Sequence, residues 1–138
     1  MPRHPERPDR LKSIMSRLTE SGIISETHVV LASEVSDDIL STIHSETYIE
    51  SINKSEPERT VIKVEPDTYM SRGSLRASKL AAGACIAATK DVLSGDARRV
   101  FCAIRPPGHH AEVAAAMGFC LFNNIALAAE LALASKSV

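Results

Sequence analysis

The chain has 138 residues, enough for one domain or part of one, and a chain of this size can bury roughly two-thirds of its unfolded surface. Hydrophobic residues make up 44% and charged residues 24%, and 16 basic against 17 acidic side chains leave a formal charge of −1, which gives no polyelectrolyte basis for binding nucleic acid. The start, MPRHPERPDR, lacks the apolar stretch of a signal peptide, and the longest apolar runs, broken by Gly83 or Glu130, fall far short of a membrane span, so the chain reads as soluble and intracellular.

Prolines between Pro5 and Pro8 suit a first helical turn, and Leu11, Ile14, Met15 and Leu18 then recur at i, i+3, i+4 and i+7. That spacing predicts a helix with one apolar stripe, ended by Gly22. Arg3, Arg7, Arg10 and Lys12 are interleaved with acids and read as a solvated face. The β-branched run 28–32 predicts a short buried strand. Ser36 followed by Asp37 and Asp38 is an N-cap pattern, with Ile39, Leu40 and Ile43 inward. A second short helix after Ser45 turns Tyr48, Ile49 and Ile52 to the core. Residues 53–59 form a polar loop, and 60–64 a brief strand or extended chain.

The longest helical pattern runs over 74–93 and closes at Ser94-Gly95. Gly83 lies in its small-residue centre; a mid-helix glycine costs about 1 kcal/mol against alanine, so a tight packing contact is expected there. Residues 100–104 are continuously apolar between Arg99 and Arg105, as in a strand covered on both faces. A Pro-, Gly- and His-rich loop follows over 105–118, then an Ala- and Leu-rich helix over 121–134. This order predicts an α/β fold with a parallel sheet flanked by helices. Ligands of such sheets meet the loops at the carboxyl ends of the strands, where the loop after Ile104 stands. Cys85, Cys102 and Cys120 all lie in apolar stretches and read as buried thiols, with no CxxC spacing for a zinc site.

The loop carries the chemistry. Pro106 and Pro107 stiffen the exit from the strand, and Gly108 allows a sharp turn or a close approach. On an extended backbone the adjacent His109 and His110 would point to opposite sides, which suits proton transfer with different partners better than a shared metal. A bare His-His pair is more often local polarity than catalysis. Gly118-Phe119 adds open backbone beside a flat apolar wall, as in a narrow slot.

Arg105-Pro-Pro-Gly-His-His-Ala111 followed by Met117-Gly-Phe-Cys-Leu-Phe-Asn-Asn124 resembles the active-site signature of the histone deacetylase family, in the class II-like branch that includes acetylpolyamine deacetylases. Supporting strings stand in the family's order. They are His4-Pro-Glu-Arg-Pro-Asp-Arg-Leu11, Ile43-His-Ser45 with Tyr48-Ile49, and Asp67-Thr-Tyr-Met-Ser-Arg-Gly-Ser74 with Ala82-Gly83. The likeness implies a partial arginase/deacetylase-like fold, with residues 1–138 as the N-terminal portion of the domain. It implies a zinc-dependent hydrolase of acetyl-lysine or acetylpolyamine amides. His110 would be the general base and His109 its proton-transfer partner, while zinc-bound water attacks the acetyl carbonyl. Gly118 would offer its carbonyl to the substrate amide and Phe119 would form a tunnel wall. Asp67 matches the rim carboxylate, although a turn-forming Asp after Pro66 is an equal reading. Arg10 resembles the arginine of the acetate exit channel, or is a solvated helix residue.

The family's zinc ligands, an Asp-x-His on the next strand and a later Asp, have no counterpart here, and neither has its oxyanion tyrosine. Ser135-Lys-Ser-Val138 falls where that strand would start, and Met1 is nearly adjacent to the first motif, so the chain reads as truncated at both ends. It is therefore expected to be inactive and marginally stable alone, with zinc a cofactor of the intact family only. The alternative is a non-catalytic deacetylase-like module that binds a homologue or another partner.

Overall fold

The structure, a computed structural model, describes residues 4–135; the expectations attached to Arg3 and to residues 136–138 lie outside them. Helix α1 (Asp9–Glu20) starts after Pro8 and carries Asp9 in its first turn, where a carboxylate suits the helix dipole. Gly22, at φ 78°, lets the chain reverse into a 3-10 turn over Ile23–Glu26. No residue of α1 is buried, so its predicted apolar stripe is at most half-covered.

The two serine caps form as expected. Ser36 Oγ accepts from Ile39 N at 3.4 Å at the start of α2 (Asp37–Leu40), and Ser45 Oγ accepts from Tyr48 N at 3.3 Å at the start of α3 (Glu46–Lys54). Leu40, Tyr48, Ile49 and Ile52 are buried, with Ile39 and Ile43 packed against them. Strands β1 (Ile62–Glu65) and β2 (Thr68–Met70) then form an antiparallel hairpin around a two-residue Pro66-Asp67 turn. The extended reading of 60–64 becomes half of this hairpin. Its second strand was not anticipated, although a Pro-Asp dipeptide between apolar runs is a turn signal.

Helix α4 (Ser74–Ser94) lies between two left-handed glycines, Gly73 and Gly95, and packs against α5 (Asn124–Ala134). The tight contact expected at Gly83 is present. A Cβ there would collide with the carbonyl oxygen of Ser33, and the Val35 N–H donates to Lys79 O at 3.2 Å, so residues 33–35 cross directly over the helix. The largest fully buried side chains are Phe122, Leu40, Ile52, Met70 and Leu127, which places the core between α2–α3, the hairpin, α4 and α5.

The class is α/β, a partial domain of helices around a small two-stranded sheet. The apolar segments 28–32 and 100–104, read as buried strands, have no strand pairing among the described residues. Leu31 is 90% exposed and Phe101 71%. The physical reason is that strand propensity is mostly packing against neighbours, and the described residues supply no strand to either segment. No helix among the described residues is long and apolar enough to cross a membrane.

Candidate functional site

The site is built around residues 105–123, and three clamps hold that stretch. The first is ionic. The nearly buried Glu6 carboxylate lies 3.1 Å from Arg10 Nε and 3.0 Å from Arg105 Nε, the latter without hydrogen-bond geometry, and Arg10 Nη2 donates to Ile104 O at 2.6 Å. The peptide bond between Arg105 and Pro106 is cis. Gly108 is the point of closest approach: a Cβ would strike the Asn124 backbone and stand 2.7 Å from Phe122 O. Only glycine lets the loop lie against the start of α5.

The second clamp is His44, which is 2% exposed. Its Nδ1 is 2.9 Å from Glu112 O, and its Nε2 accepts from Asn123 N at 2.9 Å. A carbonyl on one nitrogen and an N–H on the other specify a neutral ring protonated at Nδ1. Burial accordingly lowers its pKa, against the Glu112 and Val113 carbonyls, which favour the charged form. Ser45 N donates to Val113 O at 3.0 Å, so the turn before α3 grips the loop at two successive residues. Beside it Tyr48 Oη donates to Leu121 O at 2.7 Å, and Asn123 both caps α5 through Ala126 N and donates to Ala111 O.

The third clamp is the β1–β2 turn. Asp67 Oδ1 accepts from Gly118 N at 3.2 Å and from the Thr68 hydroxyl at 3.0 Å, while Thr68 Oγ1 accepts from Phe119 N at 3.0 Å. Asp67 is thus a turn residue, as one of the two sequence readings has it, and its side chain also lines the cleft. Gly118 (φ 56°) and Phe119 (φ 70°) are both left-handed, and Met117 and Cys120 exchange backbone hydrogen bonds of 3.1 and 2.9 Å across them. A phenylalanine in that region costs about 1–2 kcal/mol, a cost the Thr68 and Asp67 bonds offset. The turn sets the Phe119 ring edge-on to His4, with centroids 4.7 Å apart.

His109 and His110 are exposed, and their ring centroids are 4.2 Å apart at 54°. The expectation of side chains on opposite sides is corrected here, because the backbone turns rather than extends, with Ala111 N donating to Gly108 O at 3.2 Å. The His110 side chain lies against Gly118, where a Cβ would come within 2.6 Å of the ring. Arg10, Asp67, His109, His110, Gly118 and Phe119, the six residues picked out in the sequence, all line one cleft of about 670 Å³. Glu6, His44, Thr68 and Asn123 were not picked out as site residues. All four stand inside the strings that carry the resemblance, His44 in Ile43-His-Ser45, Glu6 in the string over 4–11, Thr68 in that over 67–74 and Asn123 in that over 117–124, so the signal lay in the strings and not in the single residues.

The cysteines divide. Cys120 is fully buried, its Sγ donating to Gly118 O at 3.3 Å, and burial pushes its thiol up. Cys85 and Cys102 are only half-buried and line the same cleft, so the uniform reading of buried thiols holds for Cys120 alone. Among the described residues no group of three or more His, Cys, Asp or Glu side chains is arranged to hold a metal ion. The imidazole pair therefore does not fit the family's zinc as a donor set.

Residues 4–138 match the profile of the histone deacetylase domain. Histone deacetylase 15 of Arabidopsis thaliana is 38% identical over 133 residues, covering 96% of this chain and 24% of that protein. Polyamine deacetylase HDAC10 of Homo sapiens is 34% identical over 129 residues, covering 90% of this chain and 19% of that protein. The solved HDA15 HD domain superposes with a TM-score of 0.92 at 37% identity, over 96% of this chain and 37% of that one. The chain thus spans between about a fifth and two-fifths of these relatives. With the family profile, the sequence relatives and the fold in agreement over nearly its whole length, the chain belongs to the histone deacetylase family.

Proposed function

We propose that this chain provides the substrate channel and the proton-handling imidazoles of a deacetylase site for acetylated lysine side chains or acetylpolyamines. The observation that carries the reading is the single cleft shared by His109, His110, Asp67, Gly118 and Phe119. Hydrolysis of an acetamide adds water to the acyl carbon and expels an amine, so one proton must leave the water and one must reach the departing nitrogen. Imidazole can do either near neutral pH. His110, lying against the channel backbone, is the general base in this reading, and His109 is its electrostatic and proton-transfer partner. Phe119 walls the methylene stem and the Gly118 carbonyl accepts the substrate N–H. Both hydrogen bonds that Asp67 receives from described residues fall on Oδ1, which leaves Oδ2 for a backbone N–H or a polyamine ammonium at the rim. Arg10 borders the path for the acetate product.

Zinc has no donor set in the described residues, so the cleft is half of a site and the 138-residue product is expected to show no turnover. The reading is tested with the purified chain by following the His109 and His110 ring signals in NMR while titrating an acetyl-lysine peptide and, separately, acetylspermidine. Shifts at His110 that disappear in Phe119→Ala are expected; unmoved imidazoles at millimolar ligand would refute the channel. In parallel, a fluorogenic acetyl-lysine assay with metal analysis should give neither hydrolysis nor stoichiometric zinc. Chelator-sensitive turnover by this chain alone would overturn the half-site reading.

A second reading, a deacetylase-like interaction module, is favoured by one observation, the exposed apolar stretch 29–31 together with Phe101. Sizing the chain with a full-length family member separates the two. A specific heteromer supports the module, and two independent peaks remove it.

A further inference from the structure

The turn that carries Phe119 has its two central amides answered from elsewhere in the fold. Met117 and Cys120 close the turn with backbone hydrogen bonds, which leaves the N–H groups of Gly118 and Phe119 without a partner inside it. Gly118 N donates to Asp67 Oδ1 and Phe119 N to Thr68 Oγ1, two adjacent residues 51 positions back along the chain. Thr68 is 1% exposed, and its own hydroxyl proton goes to Asp67 Oδ1, so the lone pair it offers to Phe119 N has a fixed direction. Turns with two left-handed central residues suit Asn-Gly or Gly-Gly. A phenylalanine at the second of these positions, here at φ 70°, needs a hold from outside the turn.

What that hold decides is the place of a ring. Phe119 borders two spaces, the cleft of about 670 Å³ and a smaller chamber of about 150 Å³. His109 and His110 line only the first, whereas His4, Tyr69 and Leu121 line only the second. On the chamber side His4 meets the Phe119 ring edge-on, with centroids 4.7 Å apart, and is itself held by Glu6 N, which donates to its Nδ1 at 3.1 Å. The ring is therefore the partition between cleft and chamber. We propose that Thr68 is a positioning and specificity-determining residue, which fixes Phe119 and so keeps the channel at the width of an acetyl group. Released, the ring swings into the chamber and the channel takes longer acyl groups, of the butyryl class. The inference rests on the reading of the cleft as a channel for acylated amines.

A hydroxyl is the group this task needs. Serine retains the acceptor for Phe119 N. Valine matches threonine in shape and suits a strand position, but it leaves that N–H unpaired. Comparison of the two substitutions therefore separates the hydrogen bond from the packing.

The test uses the full chain as the parent, Thr68→Val and Thr68→Ser. Each is titrated with matched acetyl-lysine and butyryl-lysine peptides while the His110 ring signals are followed in NMR. The parent should favour acetyl over butyryl by about tenfold, as an apolar pocket limited in size does. Thr68→Val should lose that preference by gaining affinity for the butyryl peptide, and Thr68→Ser should keep it. A general loosening of the fold would weaken both peptides alike, so an unchanged ratio in Thr68→Val overturns the role of Thr68 and leaves the channel standing. Imidazoles of the parent that respond to neither peptide would instead sink the channel, and this inference with it. Two readings need no ligand. The Phe119 amide of the parent should be protected from hydrogen exchange. Cross-peaks between the Phe119 and His4 rings should be present in the parent and in Thr68→Ser and absent from Thr68→Val. A freely exchanging Phe119 amide in the parent would overturn the proposal even where Thr68→Val fails to fold.

Discussion

His44 is specified as a neutral ring by what surrounds it, and that makes it a pH-dependent element of the fold. Protonation would place a second N–H against the Asn123 N–H, on a ring that is almost fully buried. Since burial lowers its pKa below the ordinary 6.5, the unfolded chain binds a proton before the folded one does. Its contribution is therefore complete above pH 6.5 and declines as the pH falls towards the lowered folded value. Urea unfolding between pH 7.5 and 5 should show this loss, and His44→Gln, which keeps one donor and one acceptor without titrating, should flatten the slope. An unchanged slope would remove His44 from the account. His44→Phe leaves the Glu112 carbonyl and the Asn123 N–H unpaired and should cost about 1–3 kcal/mol at pH 7.5. Asp37 works in the opposite sense at lower pH. The hydrogen-bonded Lys79 ammonium, ahead of Asn53, holds its carboxyl below the usual range despite the opposing effect of partial burial. Its stabilisation is present above the ordinary carboxylate value and is lost as pH falls through the lowered one.

At the scale of elements, local chemistry explains what could be read in advance. The helices announced themselves through caps and periodicity: Ser36, Ser45, Gly22 and Gly95 mark ends that depend on hydrogen bonds a few residues away. The segments 28–32 and 100–104 have strand composition, but composition cannot supply a neighbour. The six candidate residues could be singled out because they fall in the short strings that carry the family resemblance; Glu6 and Thr68 stand in the same strings, but their partners Arg105 and Phe119 lie far along the chain, where no local pattern could reveal them. Gly83 sets helix propensity against packing. Gly83→Ala should gain about 1 kcal/mol of propensity. The methyl would meet the Ser33 carbonyl, and overpacking of that kind costs about 1–3 kcal/mol, so packing is expected to win. Denaturant midpoints should fall for Gly83→Ala; a raised midpoint would show that residues 33–35 lift away without penalty.

Across the molecule, the imbalance lies on the outside. Leu31, Val29, Val30, Phe101, Ile125 and Leu133 are exposed large apolar groups, more than scattered surface residues of a small monomer would require. The purified chain should bind a hydrophobic dye and self-associate as its concentration rises. Phe101→Glu with Leu31→Lys should reduce both without lowering the unfolding free energy by more than about 0.5 kcal/mol, as expected of exposed positions. Light scattering and dye fluorescence that ignore the substitutions would place the adhesive surface elsewhere. The Glu6 carboxylate has a further consequence for how such a chain comes into being. Its two cationic partners lie on either side of almost a hundred residues of polypeptide, and α1 contributes no buried side chain of its own. The corner of the cleft around Glu6 can therefore close only after Arg105 has been made, however early Arg10 emerges.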